Sequence, residues 1–303
     1  MTTWVIGRGG LLGSAVSRLV GEPFDAADVP WDDPPAAGAR LQADLARFRR
    51  EADERPWRIV WAAGAATTST PAPEAIAEVE PLRGLLTALR DRPPAGPGAM
   101  FLTSSAGGVY AGSHPAPFDE HSTPVALSPY GELKLTQERL AVEMLAGACP
   151  LVIGRISNLY GPGQNLAKLQ GLISRLALAV VTQQPISIFV PLDTIRDYIY
   201  VDDAARAVLT ATDGAIMDRT DQRTIIVASG RPVTVGQLIR TMALVTKHRV
   251  PVAYGMHASA AAQSLDLRLT PSVGVEAPTP LPAGMKTAYL DILDQVQRQS
   301  LAG

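Results

Sequence analysis

Thr3-Trp-Val-Ile-Gly-Arg-Gly-Gly-Leu-Leu-Gly13 is the stretch on which the fold turns. A short apolar run, Thr3 to Ile6, reads as a strand, ends in glycines, and passes into a helical pattern from Leu11 to Val20. Glycines at 7, 10 and 13 let the turn tighten, let the backbone approach a pyrophosphate, and let the helix lie close to the sheet. The start of that helix, with Arg8, Leu11 and Leu12 around it, offers free N–H groups and a partial positive charge to phosphates. A ligand-free tight turn has the same glycines, so the motif needs its context.

The context is a regular alternation. Pro23 to Ala26 reads as a weak second strand of poor propensity, followed by a helix-favouring segment from Ala43 to Arg55. Next come a buried strand Arg58–Trp61, a helix Glu74–Arg90, a strand Ala99–Leu102, a helix Tyr130–Leu145 and a strand Leu151–Ile153. Strands alternating with crossover helices predict an α/β protein built on a Rossmann-like, doubly wound parallel sheet. Beyond residue 165 the pattern loosens: helix Leu166–Thr182, strands Ile186–Val190 and Tyr198–Val201, helix Asp202–Ala211, strand Thr224–Val227, and helices Val235–Val245 and Met285–Arg298. We expect a dinucleotide-binding domain over 1–165, with a return near 195–228, and a smaller C-terminal substrate-binding lobe mainly over 166–303. Arg92 to Gly98 reads as an exposed connector.

Composition excludes several classes. In 303 residues, 47% hydrophobic and 18% charged, the net charge is -2 with no basic stretch. A sequence-independent nucleic-acid binder needs clustered Lys and Arg, so no nucleic-acid partner is expected. The single cysteine, Cys149, permits no internal disulfide, and four scattered histidines show no ligand spacing, so no metal is expected. Neither a leader pattern nor a run of about 20 apolar residues is seen, which gives no membrane partner and a cytoplasmic protein as the expectation.

Tyr130-Gly-Glu-Leu-Lys134 opens a helix after Ser128-Pro129, and i, i+4 spacing puts Tyr130 and Lys134 on one face. A phenol is a poor base at neutral pH, and a nearby ammonium favours its ionised form, which suits proton exchange with a sugar hydroxyl or carbonyl. A surface pair has the same spacing. The run Leu102 to Tyr110 begins at a strand end and brings Ser105 toward the same oxygen, with ordinary turn chemistry as the plainer account. For the cofactor's ribose end, Asp28 lies where an acid accepts the hydroxyls of NAD, whereas Arg8 suits the 2′-phosphate of NADP, so both cofactors stay open. Asp44, in Ala43-Asp-Leu45, is a candidate for adenine and equally for a helix N-cap.

Taken in order, these segments resemble the extended short-chain dehydrogenase/reductases of the NAD-dependent epimerase/dehydratase family, the nucleotide-sugar epimerases and ketoreductases. Gly7–Gly13 resembles the family's glycine motif, and Trp61-Ala62-Ala63-Gly64 its loop beside the cofactor. Ser104–Tyr110 resembles its active-site serine segment, Tyr130–Lys134 its Tyr-x-x-x-Lys, and Arg155–Gly163 and Arg196–Asp203 two later segments. The resemblance implies Tyr130 as acid/base, Lys134 as its tuner and holder of the nicotinamide ribose, and Ser105 as the group that orients the reacting oxygen. It implies that Asn158 and Arg196 contact the diphosphate of a nucleotide-diphosphate sugar, against plainer roles as a loop cap and as an ion pair with Asp193 or Asp202. Ala106-Gly107 stand where the family's dehydratases carry Asp-Glu, which argues against sugar dehydration, and Glu80 stands where its helix often has Asn.

The resemblance therefore implies an NAD(P)-dependent nucleotide-sugar epimerase working through a 4-keto sugar, with an NADPH-dependent 4-ketoreductase as the alternative and a non-catalytic dinucleotide sensor as the third reading. A homodimer through the helices Glu74–Arg90 and Tyr130–Leu145 is expected on the same ground.

Overall fold

The structure, a computed structural model, describes residues 1–67, 70–166, 171–255 and 264–302. The elements run β1 Thr2–Ile6, α1 Leu11–Val20, α2 Pro34–Ala52, β2 Trp57–Trp61, α3 Ala72–Ala77, α4 Val79–Asp91, β3 Gly98–Ser105, α5 Ala106–Val109, α6 Pro129–Leu145 and β4 Leu151–Ile156. They continue with β5 Asn158–Tyr160, α7 Leu172–Thr182, β6 Ile186–Ile188, β7 Ile195–Arg196, β8 Tyr198–Tyr200, α8 Val201–Asp218 and β9 Gln222–Val227. Last come β10 Val233–Thr234, α9 Val235–Thr246, β11 Val252–Tyr254, β12 Asp266–Leu267 and α10 Leu281–Ala302.

The main sheet has five parallel strands in the order β1-β2-β3-β4-β9. β1 and β4 are buried along their whole length, as strands covered on both faces must be. Alternate side chains feed two cores. On one face Val5, Val60, Phe101 and Val152 pack with Leu12 and Val16 of α1 and Ala204, Ala205 and Val208 of α8. On the other, Trp4, Ile59, Met100 and Ile153 meet Leu41 and Phe48 of α2, Leu82 and Leu86 of α4, and Leu133 and Leu140 of α6. Helices on both faces of a parallel sheet make the doubly wound α/β architecture that the sequence predicts. A third cluster joins α7, α9 and α10 through Ile173, Leu176, Leu238, Met242, Met285 and Ile292. Small strand pairs surround it: β6 with β11, β7 between β10 and β12, and β5 beside β8.

Several boundaries differ from expectation. The weak second strand does not form. Residues 22–30 are irregular, and only Phe24 N–H reaches β1, donating to Thr3 O at 2.7 Å. Pro23 has no N–H to give, and Asp25-Ala-Ala-Asp28 has low strand propensity. The chain instead rounds the outer edge of β1, leaving α1 on one face and entering α2 on the other. Phe24 secures that passage by packing edge-on against Trp4 and Phe48, with ring centroids 5.7 and 5.3 Å away.

The helix expected from Ala43 to Arg55 starts at Pro34. Asp33 caps it by accepting from Ala36 N–H at 3.1 Å, and the prolines of its first turn have no N–H to satisfy. Asp44 therefore lies inside α2 and is no N-cap. The helix expected over Glu74–Arg90 breaks at Glu78, between α3 and α4. Pro81 cannot donate to the carbonyl of Ala77, so the ladder is interrupted there. Of the helix expected over Leu166–Thr182, residues 167–170 lie outside the described residues, and α7 begins at Leu172. Among the described residues no helix is long and apolar enough to cross a membrane, and no cluster of metal-ligating side chains occurs.

Phe24, 4% exposed, is the fastener of the edge passage. Phe24→Ala is expected to lower unfolding free energy by about 3 kcal/mol, read as a lower urea midpoint at unchanged slope.

Candidate active site

The glycine turn sits at the carboxyl end of β1, where open α/β sheets receive ligands. Gly10 N–H donates to Gly7 O at 2.9 Å, and Gly10 brings no side chain to the first N–H groups of α1. Gly7 has φ +89°, and a Cβ there would lie 2.6 Å from Ala63 N; a Cβ on Gly13 would lie 2.2 Å from Gly7 O. The backbone of the turn thus closes directly on Ala62 and Ala63, leaving a bare cradle of the kind that a pyrophosphate fills. Leu12 packs inward beneath it, while Leu11 is half-buried.

Gly64 continues from Ala63 toward Lys134. The Lys134 ammonium lies 3.7 Å from where a Gly64 Cβ would be, so glycine turn, β2 loop and lysine form one continuous wall. Lys134 is 5% exposed and donates to Gln137 Oε1 at 3.1 Å and Thr103 O at 3.4 Å, which holds its ammonium under the Tyr130 ring, 5.8 Å from the centroid. Tyr130 packs on the backbone of α5, 3.1 Å from a Cβ position on Gly108. Ser105 caps the same short helix, accepting from Gly108 N–H at 3.2 Å and keeping its own proton to donate. The structure therefore brings Ser105 and Tyr130 together at Gly108, with Lys134 beneath the Tyr130 ring. The approach requires a second glycine, since a Cβ on Gly131 would meet Gly108 O at 2.4 Å.

Beneath these residues lies a charged network. Arg155 of β4 grips Glu138 of α6 through Nε to Oε1 at 3.1 Å and Nη2 to Oε2 at 2.7 Å. Ser104 donates to Glu138 Oε1 at 2.5 Å, and Arg155 Nη1 donates to the Tyr110 hydroxyl at 2.6 Å, which itself donates to Asp119 O at 2.7 Å. Burial pushes the Tyr110 phenol above its ordinary pKa, against the pull of Arg155. Ser104 is thereby committed inward and Ser105 turned outward. Nothing in the local sequence marks Glu138 and Arg155 as partners.

Beside the glycine turn, Arg8 faces Asp25 and Asp28, each at 3.6 Å. The two candidates thus pair with one another in solvent. Asp44 is 1% exposed, with Oδ1 taking Arg47 Nη1 at 2.8 Å and Oδ2 buried without a partner; Leu45 beside it is a core residue. Arg47 also donates to Asp25 O at 3.0 Å, tying the loop to α2.

On the C-terminal side, Asn158 Nδ2 donates to Asp197 O at 2.8 Å. Asp197 is fully buried and anchors the 229–231 turn through Ser229 and Arg231. Arg196 is half-buried, donates to Ile195 O at 2.8 Å, and has its pKa pushed down by burial, offset in part by Tyr198 and Asp266. Asp202 pairs with Arg18. On α4, Glu80 is exposed and joins Arg83 at 3.3 Å. The residue that reaches the cleft wall is Glu78, whose Oε1 accepts from Ala65 and Ala66 N–H at 2.6 Å each.

The doubly wound parallel sheet agrees with the comparisons. Residues 4–220 match the NAD dependent epimerase/dehydratase family, and the chain belongs to that family. It is 26% identical over 174 residues to the dTDP-4-dehydro-6-deoxyglucose reductase of Escherichia coli, covering 55% of this chain and 53% of that one. It is 31% identical over 137 residues to an uncharacterized UDP-glucose epimerase of Bacillus subtilis, covering 45% and 41%. The chain thus matches about half the length of these curated relatives. Its structure is similar to that of MoeE5 in complex with UDP-glucose and NAD, with TM-score 0.74, 25% identity, and 99% and 100% of the two chains covered. It shares its fold with a UDP-glucose 4-epimerase of Thermotoga maritima, at TM-score 0.78 and 20% identity over 98% and 100%.

Glu138→Gln leaves Arg155 buried with half its partner. An unfolding free energy lower by about 3 kcal/mol is expected in chemical denaturation, whereas Glu80→Gln, at the exposed pair, is expected to change it by less than about 0.5 kcal/mol.

Proposed function

We propose that this protein is an NAD-dependent nucleotide-sugar epimerase acting through a 4-keto sugar. The observation that carries the reading is the continuous wall from Gly7 through Ala63 and Gly64 to Lys134 and Tyr130. Residues 1–165 with the return near 195–228 serve the dinucleotide, with Gly7, Arg8, Gly10, Leu11, Leu12 and Gly13 at the pyrophosphate and Asp44 and Leu45 toward adenine. Residues 166–303 mainly serve the sugar, with Asn158 and Arg196 near its diphosphate. A guanidinium with a lowered pKa is still charged at neutral pH and suits a diphosphate.

Bound nicotinamide supplies the two-electron acceptor and donor at the sugar carbon. Tyr130 takes the C4 hydroxyl proton as the ketone forms and returns it once the sugar has presented its other face. The Lys134 ammonium lies beneath the Tyr130 ring, 5.8 Å from its centroid, and Ser105 donates to the developing oxygen. A 4-ketoreductase uses the same residues in one direction only, and the Escherichia coli reductase among the relatives favours that second reading. The two separate on one observation: interconversion of nucleotide sugars without added NAD(P)H marks the epimerase, and stoichiometric NADPH oxidation marks the reductase.

The preference for NAD over NADP rests on Asp25 and Asp28 beside Arg8. Two carboxylates around one guanidinium leave a net negative site, which repels a 2′-phosphate. The same reading places the protein in the cytoplasm as a homodimer through α4 and α6; a monomer in sedimentation contradicts the dimer.

Tyr130→Phe keeps the ring and loses the proton. Turnover of a panel of nucleotide sugars is expected to fall at least about a hundredfold with NAD binding retained, and full activity refutes the assigned role. Replacing Asp25 and Asp28 together with Ala is expected to improve the NADP-to-NAD affinity ratio about tenfold, measured by calorimetry.

A further inference from the structure

Lys134 is a buried cation whose two acceptors are both neutral. Gln137 Oε1, one turn further along α6, takes a proton at 3.1 Å, and Thr103 O takes another at 3.4 Å. Two carboxylates are at hand, and they differ. Glu138, the residue after Gln137, has both oxygens occupied by Arg155 and Ser104. Glu78 has one to spare: Oε1 takes Ala65 and Ala66 N–H, while Oε2 is buried without a partner. That oxygen lies 3.5 Å, and Lys134 Nζ 3.7 Å, from the point that a Gly64 Cβ would occupy. No ion pair joins them among the described residues. On charge alone the carboxylate is the stronger partner for a buried ammonium, so something local holds the ammonium away from it.

We infer that Lys134 has two stations, one beneath the Tyr130 ring and one at Glu78, and that Gln137 is the positioning residue that keeps it at the first. Gln137 is 1% exposed, so its carbonyl is fixed by packing before the ammonium arrives. It offers the shorter of the two bonds that Lys134 makes, on the side where the ammonium lies under the phenol ring. Without that carbonyl only the longer bond to Thr103 O opposes the pull of Glu78. The ammonium then crosses beside Gly64, which has no side chain to bar the way, and satisfies the orphaned Oε2. Tyr130 loses its neighbouring charge. Gln137 acts through Lys134 and touches neither sugar nor dinucleotide. The effect on turnover rests on the catalytic reading of Tyr130 and Lys134; the two stations themselves do not.

Gln137→Met keeps the length of the side chain and removes its acceptor. Glu78→Gln keeps a carbonyl for Ala65 and Ala66 and turns an NH2 toward Lys134, which closes the second station. Turnover of nucleotide sugars is measured for wild type, each single variant and the double variant. Gln137→Met is expected to lower kcat about tenfold with KM for the sugar unchanged, and to lower it less than about threefold when Glu78 is already Gln. A crystal structure of Gln137→Met is expected to show Lys134 Nζ paired with Glu78 Oε2. Wild-type kcat in Gln137→Met overturns the proposal. So does an equal loss with and without the Glu78 carboxylate, which is what a merely structural glutamine gives. If Gln137→Met does not fold, Gln137→Asn, which withdraws the amide by one methylene, is read in the same way. A wild type that turns over no nucleotide sugar defeats the catalytic reading. The crystal structure then decides the two stations by itself, and an ammonium still beneath the Tyr130 ring overturns them.

Discussion

The paired contact between Arg155 and Glu138 is the constraint on which the site depends. Both side chains are nearly excluded from solvent, at 9% and 7% exposure, so neither charge tolerates loss of the other. One end of the pair is on β4 and the other on α6, the helix that presents Tyr130 and Lys134. Ser104 ties β3 to it and Tyr110 ties in the segment after α5. Four separate pieces of chain therefore share one register, and the outward placement of Ser105 follows from the inward commitment of its neighbour. Such a network adds little net stability over apolar packing. Its effect here is to admit one arrangement of these pieces.

Backbone contact performs the corresponding task at the glycine turn. With no side chain at Gly7 or Gly13, α1 and the β2 loop close on the turn at distances that a methyl group would forbid. The cradle is consequently shaped by main chain, and the charged side chains beside it are Arg8 and its two acids.

Local patterns were legible in the sequence and long-range pairings were not. The glycine turn and the Tyr130–Lys134 helix announce themselves because their chemistry is contained in a few adjacent residues. The strand cores announce themselves by burial on both faces. By contrast, Glu138 and Arg155 are 17 residues apart and each looks like an ordinary surface charge on its own element. Glu78 is visible only once Pro81 is seen to break the helix and turn it toward the cleft, which is why attention falls first on Glu80. The start of α2 was readable from Asp33-Pro34-Pro35 as a cap followed by donor-free residues. The missing second strand is the complementary case: its poor propensity was plain, but the way the chain does without it depends on Trp4 and Phe48, far away in sequence.

That missing strand has a consequence for the molecule among its own copies. Ending the sheet at β1 leaves a ladder edge of the sort that recruits strands from other chains into aggregates. Here the donor from Phe24 occupies Thr3 O, and an aromatic plug of Phe24, Trp4 and Phe48 lies across the way in. An intruding strand must first extract a buried phenylalanine, so the loop that replaces the outer strand also serves as its guard.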